Sequence, residues 1–238
     1  MLICDLNCDM GEGMPNDAAL MPFISSANIA CGYHAGDEDT MKKTVALCLE
    51  YGVAIGAHPS YADRENFGRK EMPVDADEVY VLIEEQLAAL QKITKEFRTT
   101  ITHVKPHGTL YSAAAKDKNI AAAIASAVRE FDEDLELFGL SGSYSISEAK
   151  ALGLKTRNEV FADRTYQDDG SLTPRSLPNA LIEDENKVVQ QVLQMIEKGT
   201  VTTVSGKEVP IEVETICIHG DGRNAVALAK RLSSVLRR

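Results

Sequence analysis

Residues 101–111 read ITHVKPHGTLY, and the alternation within them decides the fold. Side chains point to opposite faces of a strand in turn. Thr102 and Val104 therefore share one face, while Ile101, His103 and Lys105 share the other, with His107 joining them if the strand runs that far. A strand sandwiched between two apolar layers is a near-continuous aliphatic run. This one instead carries a histidine and a lysine on one side, as a strand does when its outer face packs on helices and its inner face meets polar groups.

The same parity recurs on either side. In the first apolar run Leu2, Cys4 and Leu6 oppose Asp5 and Asn7, and in the last one Ile216 and Ile218 oppose Thr215, Cys217 and His219. Seven such runs lie near residues 2–7, 25–31, 53–58, 101–106, 135–139, 156–162 and 214–219. Between them the spacing predicts helices near 38–51, 76–97, 118–130, 144–152, 184–198 and 222–236, each long enough for a parallel crossover. Val79, Ile83, Leu87, Leu90 and Phe97 recur at helical intervals, and Asp75 with Glu78 forms a capping box ahead of them. TVTTVSGKEVPIEV, 200–213, reads as a hairpin turning at Ser205-Gly206. Strands alternating with helices in this order imply an α/β fold, a parallel barrel with polarity growing toward the carboxyl ends of its strands. With no linker-like tract in 238 residues, one domain over 1–238 is expected.

Composition excludes several classes. A formal net charge of -11 with no basic cluster argues against nucleic acid, and no apolar run has the roughly 18 residues a membrane span needs. The acidic MLICDLNCDMGEG is unlike a secretory signal, so a cytoplasmic protein is expected. Five cysteines without a CxxC pair suit reduced thiols. GxxxxGK[ST], a strand-linked GxGxxG and GxSxG are all absent.

Histidines locate the chemistry. His34, His58, His107 and His219 each follow a strand and sit in a Gly- or Pro-rich turn, CGYHAG, GAHPS, KPHG and IHGDG. Carboxylates repeat the pattern: Asp5, Asp9 and Glu12 at the first strand, Asp37 after His34, Glu159 and Asp163 at the sixth, Asp221 after His219. Asp37 reads most simply as the N-cap of helix 38–51, while Asp221 reads equally as a cap of 222–236. Asp5 and Asp9, on an inward face, require a partner such as Lys105, Arg164, a metal or a protonated histidine. His103 is expected to be a buried, hydrogen-bonded residue.

The stretches DLNCDMGEG, SANIACGYHAGD, GVAIGAHPSY, FGRK, HVKPHGTLY, EVFADRTY and ICIHGD, running in this order from Asp5 to Asp221, resemble the LamB/YcsF family. Ser60 and Ser112 depart from residues common there. The resemblance implies a distorted seven-stranded barrel similar to the glycoside hydrolase/deacetylase fold. It also implies a part in the ATP-dependent opening of 5-oxoproline to glutamate beside two partner subunits, which would bind most of the ATP because this chain has no P-loop. Lactam opening needs a base, an acid and charge stabilisation. Asp9 or Glu12 is the candidate base, and His58 and His107 are candidates for proton transfer. Asp5, Asn7, Asn28, His34, Lys105, Arg164, His219 and Asp221 are candidate substrate-binding residues. Two alternatives stand beside this reading: a divalent-metal deacetylase or amidohydrolase using an Asp and two His, and a non-catalytic substrate-binding subunit.

Overall fold

The computed structural model describes residues 4–220, 222 and 224–236. Seven parallel strands close a barrel in the order β1 (Asp5–Met10), β2 (Ser26–Ala30), β3 (Ala54–His58), β4 (His103–Val104), β5 (Glu136–Leu140), β6 (Lys155–Phe161) and β9 (Thr215–Ile218). Helices α2 (Glu38–Tyr51), α3 (Ala76–Glu96), α5 (Lys118–Phe131), α6 (Tyr144–Ala151), α7 (Glu185–Lys198) and α8 (Ala225–Leu236) form the outer layer. Short α1 (Asp17–Leu20) follows the first strand, and β7 (Thr200–Thr202) pairs antiparallel with β8 (Glu208–Pro210) as the expected hairpin. Among the described residues no helix is long and apolar enough to cross a membrane.

Local chemistry accounts for the helix boundaries. Both halves of the Asp75/Glu78 capping box are made, Asp75 Oδ1 accepting from Glu78 N at 2.9 Å and Glu78 Oε2 accepting from Asp75 N at 3.1 Å. Asp37 caps α2 by accepting from Thr40 N at 2.8 Å, so its structural reading is the one realised. The α3 face formed by Val79, Ile83, Leu87, Leu90 and Ile93 is buried. At about 25 cal/mol per Å² of apolar surface, five such side chains supply roughly 8–15 kcal/mol of gross burial, before conformational entropy is subtracted.

Three features differ from the sequence reading. β1 runs from Asp5 to Met10 rather than ending at residue 7, because Asp9 is satisfied inside the barrel and the strand need not stop at a carboxylate. The fourth strand pairs on both sides only at His103–Val104. Thr102, Lys105 and His107 nevertheless donate backbone N–H groups to the Ile55, Ala57 and Pro59 carbonyls, respectively, of the neighbouring β3 segment, and Pro106 has no N–H to give. Finally, GTLYSAAAK forms α4 (Gly108–Lys116), which the Gly-containing turn concealed. Gly108 opens it at φ +60, where a Cβ would stand 2.2 Å from the Gly68 carbonyl oxygen.

The barrel interior is polar. Leu6, Cys8 and Met10 face the helices while Asn7 and Asp9 face inward, and His103, Lys105 and His107 do likewise from the fourth strand, as parity predicts. Strand register stacks these groups in layers. Asp5 lies beside Thr215 at the amino-terminal end, Asn7 beside Ser26 and Cys217 in the middle, and Asp9 beside Asn28 toward the carboxyl end.

Candidate active site

A cavity of about 380 Å³ opens at the carboxyl ends of the strands. Asp9, Glu12, His58, Lys105, His107, Tyr111, Phe161, Arg164 and His219 are among its walls. Residues 171–176 close one side. They belong to the excursion that follows β6, held by bridges pairing Arg164 with Leu181 and Tyr166 with Leu172. Gln191 of α7 anchors that excursion by donating to the carbonyls of Phe161, Ala162 and Arg164.

Beneath the cavity lies a buried charge network. Lys105 Nζ is 2.9 Å from Asp9 Oδ1, 2.9 Å from Glu159 Oε1, 3.1 Å from Asn7 Oδ1 and 3.0 Å from Cys217 Sγ. Burial disfavours its ammonium, but Asp9 and Glu159 reverse that and hold the lysine well above its ordinary value. Burial would likewise raise Asp9, yet His58 and Lys105 hold it well below the usual carboxylate range. Asn28 supports this layer by donating to Asn7 Oδ1 at 2.8 Å and Asp9 Oδ1 at 2.9 Å, with His103 Nε2 3.0 Å from its own Oδ1. His103 is driven to about 3 by burial and stays neutral, as its expected structural role requires.

Three histidines meet at Glu12. Its Oε1 is 3.1 Å from His34 Nε2, 3.3 Å from His107 Nδ1 and 3.7 Å from His58 Nε2. His34 stacks on His107 with ring centroids 3.9 Å apart, and the ring of His58 stands edge-on to both. Burial first, and neighbouring imidazoles second, push His107 well below its ordinary value and His34 to about 3. The ligand-capable atoms of Glu12, His34, His58 and His107 all lie within 4.8 Å of one another, and those of Asp9, Cys217 and His219 form a second such group. Burial keeps the Cys217 thiol protonated, well above its ordinary value, so the second group is the poorer cation site.

Beside Asp9, His219 Nδ1 lies 2.9 Å from each oxygen of Asp163. Burial would raise Asp163, but His219 holds it down as an anion. The carboxylate thus keeps the proton on Nδ1 and leaves a lone pair on Nε2, the arrangement of an oriented base. Arg164 donates to the carbonyls of Ala180 at 3.1 Å and Thr173 at 2.5 Å. Burial and the neighbouring Arg175 lower it to about 10. Two guanidiniums therefore converge on one wall, where an anion would relieve their repulsion.

The sequence-derived candidates divide accordingly. Asp9, Glu12, His58, His107, Lys105, Arg164 and His219 share the cavity, and His34 stands directly behind it. Asp5 does not: it lies at the opposite end of β1, accepting from Ser25, Ser26 and Thr215 hydroxyls at 2.7, 2.7 and 2.5 Å. Asn7 and Asn28 belong to the layer below, where they orient Asp9 and Lys105 rather than face a ligand. Lys105 reaches the wall, but its three N–H donors are directed into Asp9, Glu159, Asn7 and Cys217, so it is placed to neutralise carboxylates and not to bind a substrate's. Asp221 lies outside the described residues.

The family follows from extent and order. A model of the LamB/YcsF family matches residues 4–238. The chain belongs to the LamB/YcsF family. Two LamB/YcsF relatives described as 5-oxoprolinase subunits, from Tolumonas auensis and Geobacillus kaustophilus, are each 50% identical over 237 and 240 aligned residues, covering 98% and 99% of this chain and 94% of each relative. The crystal structure of a lactam utilization protein from Thermus thermophilus superposes with a TM-score of 0.90 at 39% identity, covering 98% of this chain and 95% of that one. The fold expected from the motifs is the one observed in this LamB/YcsF chain.

Four residues of this LamB/YcsF site had no role assigned from sequence: Glu159, Asp163, Tyr111 and Arg175. Parity along β6 carried a signal for Glu159, which shares its inward face with Phe161. Tyr111 had none, because the helix that presents it was unread. Its phenol is pushed well above the ordinary range by burial and the nearby Glu159 carboxylate.

Proposed function

We propose that this chain is the lactam-opening subunit of an ATP-dependent 5-oxoprolinase, converting 5-oxoproline to glutamate as part of a cytoplasmic complex with two partner subunits. The observation that carries the reading is the cavity wall itself, where an Asp163-oriented histidine stands beside Asp9 and a carboxylate–histidine cluster, and two arginines line the same cavity. The names borne by relatives of half-identical sequence support the same chemistry. Such a site suits a small anionic substrate containing one carbonyl to be attacked and one nitrogen to be released.

An unactivated lactam resists water, so the energy of ATP is used to phosphorylate its carbonyl oxygen. Lacking a P-loop, this chain leaves most nucleotide binding and that phosphorylation to the partners and hydrolyses the activated intermediate. Arg164 and Arg175 hold its carboxylate or phosphate. His219 Nε2 takes the proton of the attacking water while Asp163 stabilises the imidazolium that results; that proton passes to the ring nitrogen as the C–N bond breaks, and a second water hydrolyses the acyl phosphate so formed to glutamate and inorganic phosphate. This moves the base from Asp9, whose depressed carboxyl is too weak to deprotonate water efficiently, to the neighbouring histidine. Tyr111, which retains its proton tightly, lines the same cavity.

Glutamate release from 5-oxoproline and ATP tests the reading, measured for the chain alone, for the assembled complex, and for a complex carrying His219→Gln. Negligible turnover by the chain alone, turnover by the complex, and a loss of about 10²–10⁴-fold in the variant are expected. Robust ATP-dependent turnover by the isolated chain would overturn the division of labour. An unimpaired His219→Gln complex would remove His219 from the chemistry, and unimpaired activity of His58→Ala/His107→Ala as well would reduce the chain to a substrate carrier.

A further inference from the structure

The hydrogen-bond pattern around His58 and His107 leaves an excess of lone pairs at one point of the cavity. His58 Nδ1 lies 2.7 Å from the Lys105 carbonyl oxygen, and His107 Nε2 lies 2.9 Å from that of Phe67. A carbonyl only accepts, so each of these nitrogens carries the proton of its ring. The two inward nitrogens, His58 Nε2 and His107 Nδ1, face each other at 2.9 Å and share at most one proton between them. Around the same point stand Glu12 Oε1, 3.3 Å from His107 Nδ1, and Asp9 Oδ2, 3.4 Å from His58 Nε2. Asp9 is turned so that its other oxygen meets Lys105, which leaves Oδ2 directed at the imidazoles.

We infer that His58, His107, Glu12 and Asp9 form a binding site for a divalent first-row ion such as Zn²⁺ within the same cavity, tested by metal uptake and not by lactam turnover. Two imidazoles and two carboxylates are donors such an ion accepts. Tetrahedral coordination with bonds of about 2.0–2.1 Å places ligand atoms about 3.3 Å apart, and four of the six ligand pairs, at 2.9, 3.3, 3.4 and 3.7 Å, scatter around that value. A single shared proton would serve the N···N contact alone, whereas a cation answers all four groups. Carbonyl bonds on the outer nitrogens fix ring orientation and tautomer, as they do for ligating histidines generally.

His34 lies as close but does not qualify. Its ring is stacked on that of His107 at an interplanar angle of 7°, and an ion in the plane of one ring cannot lie in the plane of a parallel ring stacked above it. Its Nε2, 3.1 Å from Glu12 Oε1, instead donates to the carboxylate and orients it. All four ligands line the cavity, so the ion is reachable from it.

The test uses the full chain, stripped by a chelator and titrated with ZnCl₂ by calorimetry, with metal content and far-UV circular dichroism measured on each variant. One Zn²⁺ per chain is expected. His58→Asn and His107→Asn should lose it, while His34→Asn should keep the stoichiometry with about 10–100-fold weaker affinity, as removal of an orienting group does. Co²⁺ bound to the unaltered chain provides a readout that needs no variant to fold: visible d–d bands without thiolate charge transfer are expected. No stoichiometric uptake of Zn²⁺ or Co²⁺ overturns the proposal, and so does uptake indifferent to folded His58 or His107 variants. A thiolate band would move the site to Cys217 and refute it equally.

Discussion

Replacing Lys105 by Met tests the interior of the barrel. The methionine roughly preserves volume and removes one charge from a position only 2% exposed. At an effective dielectric near 20, each of the two 2.9 Å contacts with Asp9 and Glu159 amounts to about 6 kcal/mol of attraction. Most of that is offset by the cost of taking the ammonium out of water. The variant does not recover that cost cleanly, because it leaves two carboxylates facing each other without their counter-ion. Breaking a buried pair in this way costs about 3–5 kcal/mol, or roughly 6–20 °C of Tm for a chain of this size. Chemical denaturation of Lys105→Met beside Lys105→Met/Glu159→Gln measures it, since the second change removes one of the stranded charges and should recover part of the loss. A single variant within about 1 kcal/mol of the parent would refute the assignment of Lys105 as an internal counter-ion.

His103, held near 3 by burial, links stability to pH. Between about 6.5 and 3 the unfolded chain binds a proton that the folded chain refuses, so acidification destabilises by about 1.4 kcal/mol per pH unit for this one imidazole. His103→Gln should flatten the denaturation-midpoint curve over that window, and parallel curves would show that the imidazole is not the cause. Gly56→Ala should destabilise by at least about 1–3 kcal/mol, because its Cβ would stand 2.0 Å from His103 Nε2, in a ring fixed by Asn28 and stacked on Phe138. An unchanged unfolding midpoint would mean that the ring can withdraw. Asp163→Asn should lower kcat of the assembled complex by about 10²–10⁴-fold with little change in KM, since it releases the His219 tautomer while leaving the arginines in place. Steady-state kinetics in which KM alone rises would assign Asp163 to substrate binding instead.

Sequence alone determined the class of the fold and which face of each strand is polar, because period-two alternation is a local property of extended backbone. Reading His103, Lys105 and His107 against Val104 was enough to turn all three inward. The motifs from Asp5 to Asp221 were likewise enough to indicate the family. Depth along the barrel was not legible, because it depends on the stagger between strands, which pairings between distant segments set. Asp5 and Asp9 share a strand face and read alike, yet register puts the first beside Thr215 at the amino-terminal end and the second beside Asn28 under the cavity. Nor could residue type say where a polar group points. Lys105 offers the same ammonium to a substrate or to Asp9, and only tertiary structure brought Asp9, 96 residues away in the chain, and Glu159 to within 2.9 Å of it. Buried in the barrel interior, that ammonium has its nearest acceptors in the protein, and the cost of stranding it without them is what directs it there.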